Sequence, residues 1–161
     1  MRILSCSLVA VPALFLLASE ALAQGPAPAP GDACHAIGSD DTLRPIPSSL
    51  VPAATALFDL HAMPSEQIMR STFFRCAGGH VLICTVGANL PCGKANKNRH
   101  LPAADQWCAD HRDANFLPAY VTGHDTIYQW RCSGTKADTV GNAMKVDARG
   151  FIARFWKRVA R

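Results

Sequence analysis

Hydrophobic and polar positions divide the chain into an apolar opening, a proline-rich stretch, and a longer region that alternates between helical and strand patterning. Ile3 to Leu17 is largely apolar, follows a positive Arg2, and leads to small residues at Ala21 and Ala23 on either side of Leu22. Those are the three parts of a signal peptide, so removal of residues 1–23 is expected, with Gln24 as the new N-terminus. The run is shorter than the roughly 20 residues that cross a bilayer, and Ser19 and Glu20 break it, which argues against a retained anchor. Cys6 lies at the start of the run and not after a cleavage site, so lipid attachment is not expected. Positions 24–33 carry no large side chain and several prolines, and read as a flexible Pro/Ala-rich leader before a single domain at 34–161.

Within that domain the first periodic segment is helical. Leu50, Ala53, Ala54, Leu57 and Phe58 share one side, Ser48 or Ser49 can cap the start, and Pro64 is expected to end it. From Ile68 to Cys76 the residues are rich in β-branched and aromatic types. Ala77-Gly78-Gly79-His80 has turn chemistry, and Val81 to Val86 is apolar, which predicts a β-hairpin. A second hairpin is predicted from Thr126–Cys132 and Ala137–Val140 around Ser133-Gly134-Thr135-Lys136. The two share a wording, Phe74-Arg75-Cys76-x-Gly78 against Trp130-Arg131-Cys132-x-Gly134, and the expectation is two similar hairpins in one sheet. Between them Pro102–His111 reads as a short helix. Lys145-Val146 and Gly150–Val159 suggest two more strands, the last with Phe151, Ala153 and Phe155 on one face and Ile152, Arg154, Trp156 and Arg158 on the other. The predicted class is α+β, a mainly antiparallel sheet built from hairpins with two short helices, stapled by disulfides.

Cysteine usage supplies the staples. Of seven cysteines Cys6 leaves with the signal peptide, and Cys34, Cys76, Cys84, Cys92, Cys108 and Cys132 remain. An even set in an exported chain reads as three disulfides, whereas a zinc site would want a close Cys-x-x-Cys pair that the sequence lacks. Hairpin parity restricts the pairing. With Gly78-Gly79 as a two-residue loop, Cys84 opposes Phe73 and Cys76 opposes Val81, which puts Cys76 and Cys84 on opposite faces and forbids a bond between them. Cys92 with Cys108 is then the expected local pair, leaving Cys34, Cys76, Cys84 and Cys132 to tie the N-terminal segment and second hairpin to the first.

Phe74-Arg75-Cys76, the run Gly87-Ala88-Asn89-Leu90-Pro91-Cys92-Gly93-Lys94-Ala95-Asn96, Thr122-Gly123-His124-Asp125-Thr126-Ile127-Tyr128 and Asp147-Ala148-Arg149-Gly150-Phe151 together resemble small exported, cysteine-rich proteins of Gram-negative bacteria. The resemblance spans most of the mature chain and implies a periplasmic or secreted address, with no activity attached. The aromatic-x-Cys-x-x-Gly opening also resembles periplasmic inhibitors of c-type lysozyme. Their Ser-Gly-x-x-Tyr contact loop is missing from this sequence, so no residue role carries over.

Charge narrows the function classes only a little. Loss of Arg2 and Glu20 leaves 15 of the 16 basic and 11 of the 12 acidic residues, a formal charge still at +4 that favours anionic partners weakly. Lys94, Lys97, Arg99 and His100 form a basic loop. Arg149, Arg154, Lys157, Arg158 and Arg161 are interleaved with Phe151, Phe155 and Trp156, a mixture that can grip an anionic surface. The binding candidates are therefore Lys94, Lys97, Arg99, Arg154 and Arg158, and the partners left open are an anionic envelope component or another protein. No nucleic-acid target, no cofactor, no metal site and no membrane span after cleavage are expected.

His124 and Asp125, beside Tyr128, are the catalytic candidates, because a carboxylate can orient an imidazole for acid–base work. Neighbouring residues on an extended strand point to opposite faces, so turn entry competes with that reading. The six histidines lie too far apart in sequence for a local metal pair, and paired cysteines cannot act as thiolate nucleophiles. Three functions stay in play: an exported non-enzymatic binding or interaction module, a small exported hydrolase using His124 and Asp125, and a structural envelope component.

Overall fold

The computed structural model describes residues 29–87 and 91–160. The segment expected to be a signal peptide, the expected cleavage point and the expected leader up to residue 28 lie outside the described residues, as do Ala88, Asn89, Leu90 and Arg161. No helix among the described residues is long and apolar enough to cross a membrane.

Helix α1 (Pro30–Ile37) begins four residues before Cys34, the position at which the sequence pattern predicts the domain to start. A proline in the first turn costs no hydrogen bond there, and Asp32 lies in the first turn where the helix dipole favours negative charge. Strand β1 (Asp40–Pro45) follows, then a 3₁₀ turn at Ser48–Leu50 that runs into α2 (Val51–Phe58). Neither Ser48 nor Ser49 makes a capping side-chain bond. Asp59, in the left-handed region at φ 55°, ends α2, and not Pro64 as expected. Pro64 instead precedes α3 (Ser65–Ser71), so Ile68, predicted to open a strand, sits in a helix with its side chain buried. Local β propensity gives way because that turn of helix places Ile68 in the core.

The first hairpin is β2 (Thr72–Ala77) and β3 (His80–Thr85), with Phe73 opposite Cys84 and Cys76 opposite Val81, the register that parity predicts. Gly78 and Gly79 both have positive φ, 57° and 76°, as a two-residue type I′ turn requires. The other helices are α4 (Pro102–Asp110) and the one-turn α5 (Ala119–Thr122); the described residues hold five α-helices where two were expected. The second hairpin, β4 (Gln129–Ser133) with β5 (Lys136–Val140), forms its own two-stranded sheet. It does not join the four-stranded sheet β1-β2-β3-β6, whose last strand is Lys157–Arg158. The reason is steric: β1 occupies the free edge of β2, and Lys157 to Val159 occupies that of β3.

Parity divides the four-stranded sheet cleanly. Phe74, Cys76, Val81 and Ile83 face Cys34, Leu50, Ala54 and Ile68 from α1, α2 and α3. Phe73, Leu82 and Cys84 face the opposite side, against Phe151, Ile152, Phe155 and Trp156. The C-terminal segment therefore lacks the alternating strand faces predicted for it. A 3₁₀ turn at Ala153–Phe155 rotates the chain, and all four of its large apolar residues are buried.

Three disulfides join α1 to β2 (Cys34–Cys76), β3 to the following loop (Cys84–Cys92) and α4 to β4 (Cys108–Cys132). The expected Cys92–Cys108 bond is wrong. Cys84 turns to the face that the loop covers and takes Cys92, while Cys108 faces the second hairpin in a separate core with Ala104, Leu117, Trp130 and Cys132. The α+β class, the hairpins, the disulfides and the absence of a Cys76–Cys84 bond stand.

The charged group at the centre of the molecule is Arg75, which has no solvent exposure. On the outward side of β2, its guanidinium lies 4.0 Å from the centre of the Phe151 ring and 4.6 Å from that of Trp156, and pairs with the Asp147 carboxylate. Asp147 also accepts the backbone N–H groups of Arg149 and Phe151, so one carboxylate both neutralises the buried cation and shapes the turn that brings Phe151 over it.

Candidate functional site

The site is built around the second hairpin. Trp130 and Cys132 point inward on β4 and pack on α4, while Gln129, Arg131 and Ser133 point outward. Alongside β4 runs the segment 114–117. Cys132 N–H donates to the Ala114 carbonyl (2.7 Å) and Leu117 N–H to the Trp130 carbonyl (3.1 Å). This irregular chain then turns into α5, ends at Gly123, and returns through Thr126 to β4. The Trp130 indole N–H is held by the Thr126 hydroxyl at 3.0 Å, which fixes the indole and the return loop together.

Between these pieces lies a cleft of about 540 Å³, within the range of small-ligand sites. Positions 115–119, 122–124, 126 and 128–130 line it, with Val140 and Met144. Leu117, Pro118, Val140 and Met144 make it apolar. Phe116, 70% exposed, stands in its wall, and Tyr120, 79% exposed, projects from the adjoining α5. Large aromatics this exposed are informative where they border a cavity. The polar side chains Asn115, His124 and Gln129 line the cleft without a hydrogen-bond partner among the described residues. No carboxylate, ammonium or guanidinium group belongs to the described lining.

His124 is thus part of the site, but Asp125 is not its partner. The Asp125 carboxylate folds back over Gly123, where an added Cβ would lie only 2.6 Å from Oδ1. With φ at 84°, only glycine fits this position. No hydrogen bond or ion pair joins His124 to Asp125 among the described residues, and all six described cysteines are in disulfides. Neither a base–carboxylate pair nor a thiol nucleophile borders the cleft.

The basic candidates are tied to separate parts of the fold. Lys94 pairs with Asp41 at 2.8 Å, and Arg149 pairs with the other oxygen of the same carboxylate at 2.9 Å. Both cations hold the Asp41 carboxyl below its usual range, the Arg149 hydrogen bond contributing most. Arg99 lies over the Tyr128 ring and donates to the Thr139 hydroxyl, next to the second hairpin. The backbone carbonyl of Lys97 accepts the Tyr128 hydroxyl, Arg154 lies over Phe155, and Arg158 meets the His80 imidazole at 3.0 Å. Among the described residues no three His, Cys, Asp or Glu side chains converge on a metal-sized site.

Of the cleft residues, sequence reasoning singles out His124 and notes Tyr128 beside it, but misses Asn115, Phe116 and Gln129, as well as Tyr120 next to the cleft. The available signal is the run Phe116-Leu117-Pro118-Ala119-Tyr120. It is apolar and matches neither helical nor strand periodicity, and it carries two large aromatics in a region between the predicted elements. Comparison with known proteins found no family model, no curated protein and no solved structure that this chain matches.

Proposed function

We propose that the chain is an exported, non-enzymatic binding module whose ligand site is the cleft between segment 115–124 and the second hairpin. One observation carries the reading: an open, charge-free cavity bordered by solvent-exposed aromatics, with three polar side chains unspent on the fold. A binding site needs apolar area for affinity and a few oriented polar groups for specificity, and the cleft supplies both. The missing acid–base pair favours binding over hydrolysis at the same place. Three disulfides suit an oxidising compartment, and with the signal-peptide pattern they support a periplasmic or secreted address. An anionic partner draws little support from Lys94 and Arg149, which share the one Asp41 carboxylate and keep a single net positive charge between them.

The test works with the ligand unidentified. Isotope-labelled mature protein is screened by amide NMR against a library of uncharged small molecules. The expected result is a cluster of perturbed resonances within 115–130 and at Val140 and Met144. Perturbations that cluster elsewhere, or none at all, would overturn the assignment.

A further inference from the structure

The cleft's chemistry restricts what it can hold. A charged ligand would leave water for a site whose described lining offers no counter-charge, a cost that burial of an unpaired ion always carries. The ligand is therefore uncharged where it makes contact. Asn115 and Gln129 each present a donor and an acceptor, and His124 adds one of each when neutral, so the complement is a ligand rich in groups that both give and accept hydrogen bonds. Phe116 in the wall and Tyr120 on the adjoining α5 add exposed aromatic rings whose negative faces attract polarised C–H groups, whereas Arg99 already covers the Tyr128 ring.

An extended peptide also carries donors and acceptors, but its usual mode of capture is strand addition, and that mode is obstructed here. On β4 the outward peptide groups of Cys132 and Trp130 are already bonded to Ala114 and Leu117. On β5 the N–H of Ala137 donates to Asp105 Oδ1 (2.9 Å) and that of Thr139 to Asp138 Oδ1 (2.8 Å). Segment 114–117 lies along the β4 edge and carboxylates take both outward N–H groups of β5, which favours recognition by rings and side-chain amides. Hydroxylated rings with C–H faces match that set. The apolar part of the lining, Leu117, Val140 and Met144, calls for a methyl-bearing substituent as well.

We propose that the cleft binds an uncharged saccharide bearing an N-acetyl group, its sugar face against the exposed aromatics and its acetamido methyl among the apolar side chains. This rests on the reading of the cleft as the ligand site. The test is titration of the mature protein with triacetylchitotriose, followed by amide NMR and calorimetry. Cellotriose, which lacks the acetamido groups, and a terminally blocked apolar tripeptide serve as comparisons. Triacetylchitotriose is expected to perturb the cleft resonances and to bind at least about tenfold more tightly than cellotriose. Phe116→Ala and Gln129→Ala should each weaken it by about tenfold while leaving the melting temperature near that of the parent, since both side chains are exposed.

Equal binding of the two sugars would overturn the N-acetyl assignment. Binding of the tripeptide at the cleft without the sugars would overturn the saccharide. Failure of the sugars while small uncharged fragments still map to the cleft would overturn this inference and leave the binding-module reading standing. Failure of both would remove the two together.

Discussion

The two hairpins start from nearly the same residues and finish in different environments. In Phe74-Arg75-Cys76 and in Trp130-Arg131-Cys132 the cysteine points to a helix and bonds to it, Cys76 to α1 and Cys132 to α4. The arginines between them diverge. Arg75 is fully buried between Phe151 and Trp156, whereas the Arg131 side chain is 51% exposed, with Asp138 opposite it at 3.8 Å. The turns diverge too: Gly78 and Gly79 both supply positive φ, while in the second only Gly134 does, as a type II′ turn allows. Nothing in either local sequence sets the fate of the arginine. The C-terminal segment covers the second face of the first hairpin, and no element among the described residues covers the corresponding face of the other. A hairpin closed on both faces serves as the centre of the fold, and one closed on a single face can border a cleft.

The contrast breaks most visibly at the arginines. Arg75→Ala should leave Asp147 without its cation and open a gap between two aromatic rings, at a cost of about 3–5 kcal/mol in urea denaturation. Arg131→Ala should fall within about 0.5 kcal/mol, as exposed ion pairs do. Comparable losses for the two would mean that the burial difference carries no energy.

Next in size is the staple of the second hairpin. Replacing Cys108 and Cys132 together by serine should cost about 3 kcal/mol, from the freed loop of 24 residues. The loss should appear first as weakened amide-exchange protection at β4 and β5, with β2 and β3 protected longer. Simultaneous loss at both hairpins would show that they unfold as one unit.

The first hairpin should also lose stability in acid. Burial raises the Asp147 carboxyl, but the N–H groups of Phe151 and Arg149 and the Arg75 guanidinium more than offset it, and the net shift is downward. A lowered folded-state value means stability that is present above the unfolded carboxyl value of about 3.9 and is lost as pH falls through the folded one. Asp147→Asn should therefore be less stable than the parent at neutral pH, with the gap narrowing below about pH 4. A constant gap between denaturation midpoints at pH 7 and pH 3 would exclude Asp147 as the acid-sensitive group.

A smaller loss sharpens the comparison from the side of the cleft. Thr126→Val leaves the buried Trp130 indole N–H unpaired, a cost of about 1–2 kcal/mol with little volume change. Tryptophan fluorescence during melting should report it. No change in stability would mean that water or another oxygen replaces the hydroxyl.

What was legible in the sequence follows the range of the forces involved. The α+β class, the Gly78-Gly79 turn, the opposed faces of Cys76 and Cys84 and the helix from Pro102 are consequences of backbone dihedrals and of the period of two along a strand, which act between near neighbours. His124 could be named from its residue type, but only the backbone turn at Gly123 decided that it would line a cavity and that Asp125 would turn away. The Cys84–Cys92 and Cys108–Cys132 pairings, the separation of the hairpins into two sheets, the burial of Arg75 and the exposure of Phe116 and Tyr120 required the tertiary structure. Each depends on which distant segment covers which face. That choice is made by total burial across the whole chain, where the placement of four large residues at 151–156 outweighs the local alternation that would have made them a strand.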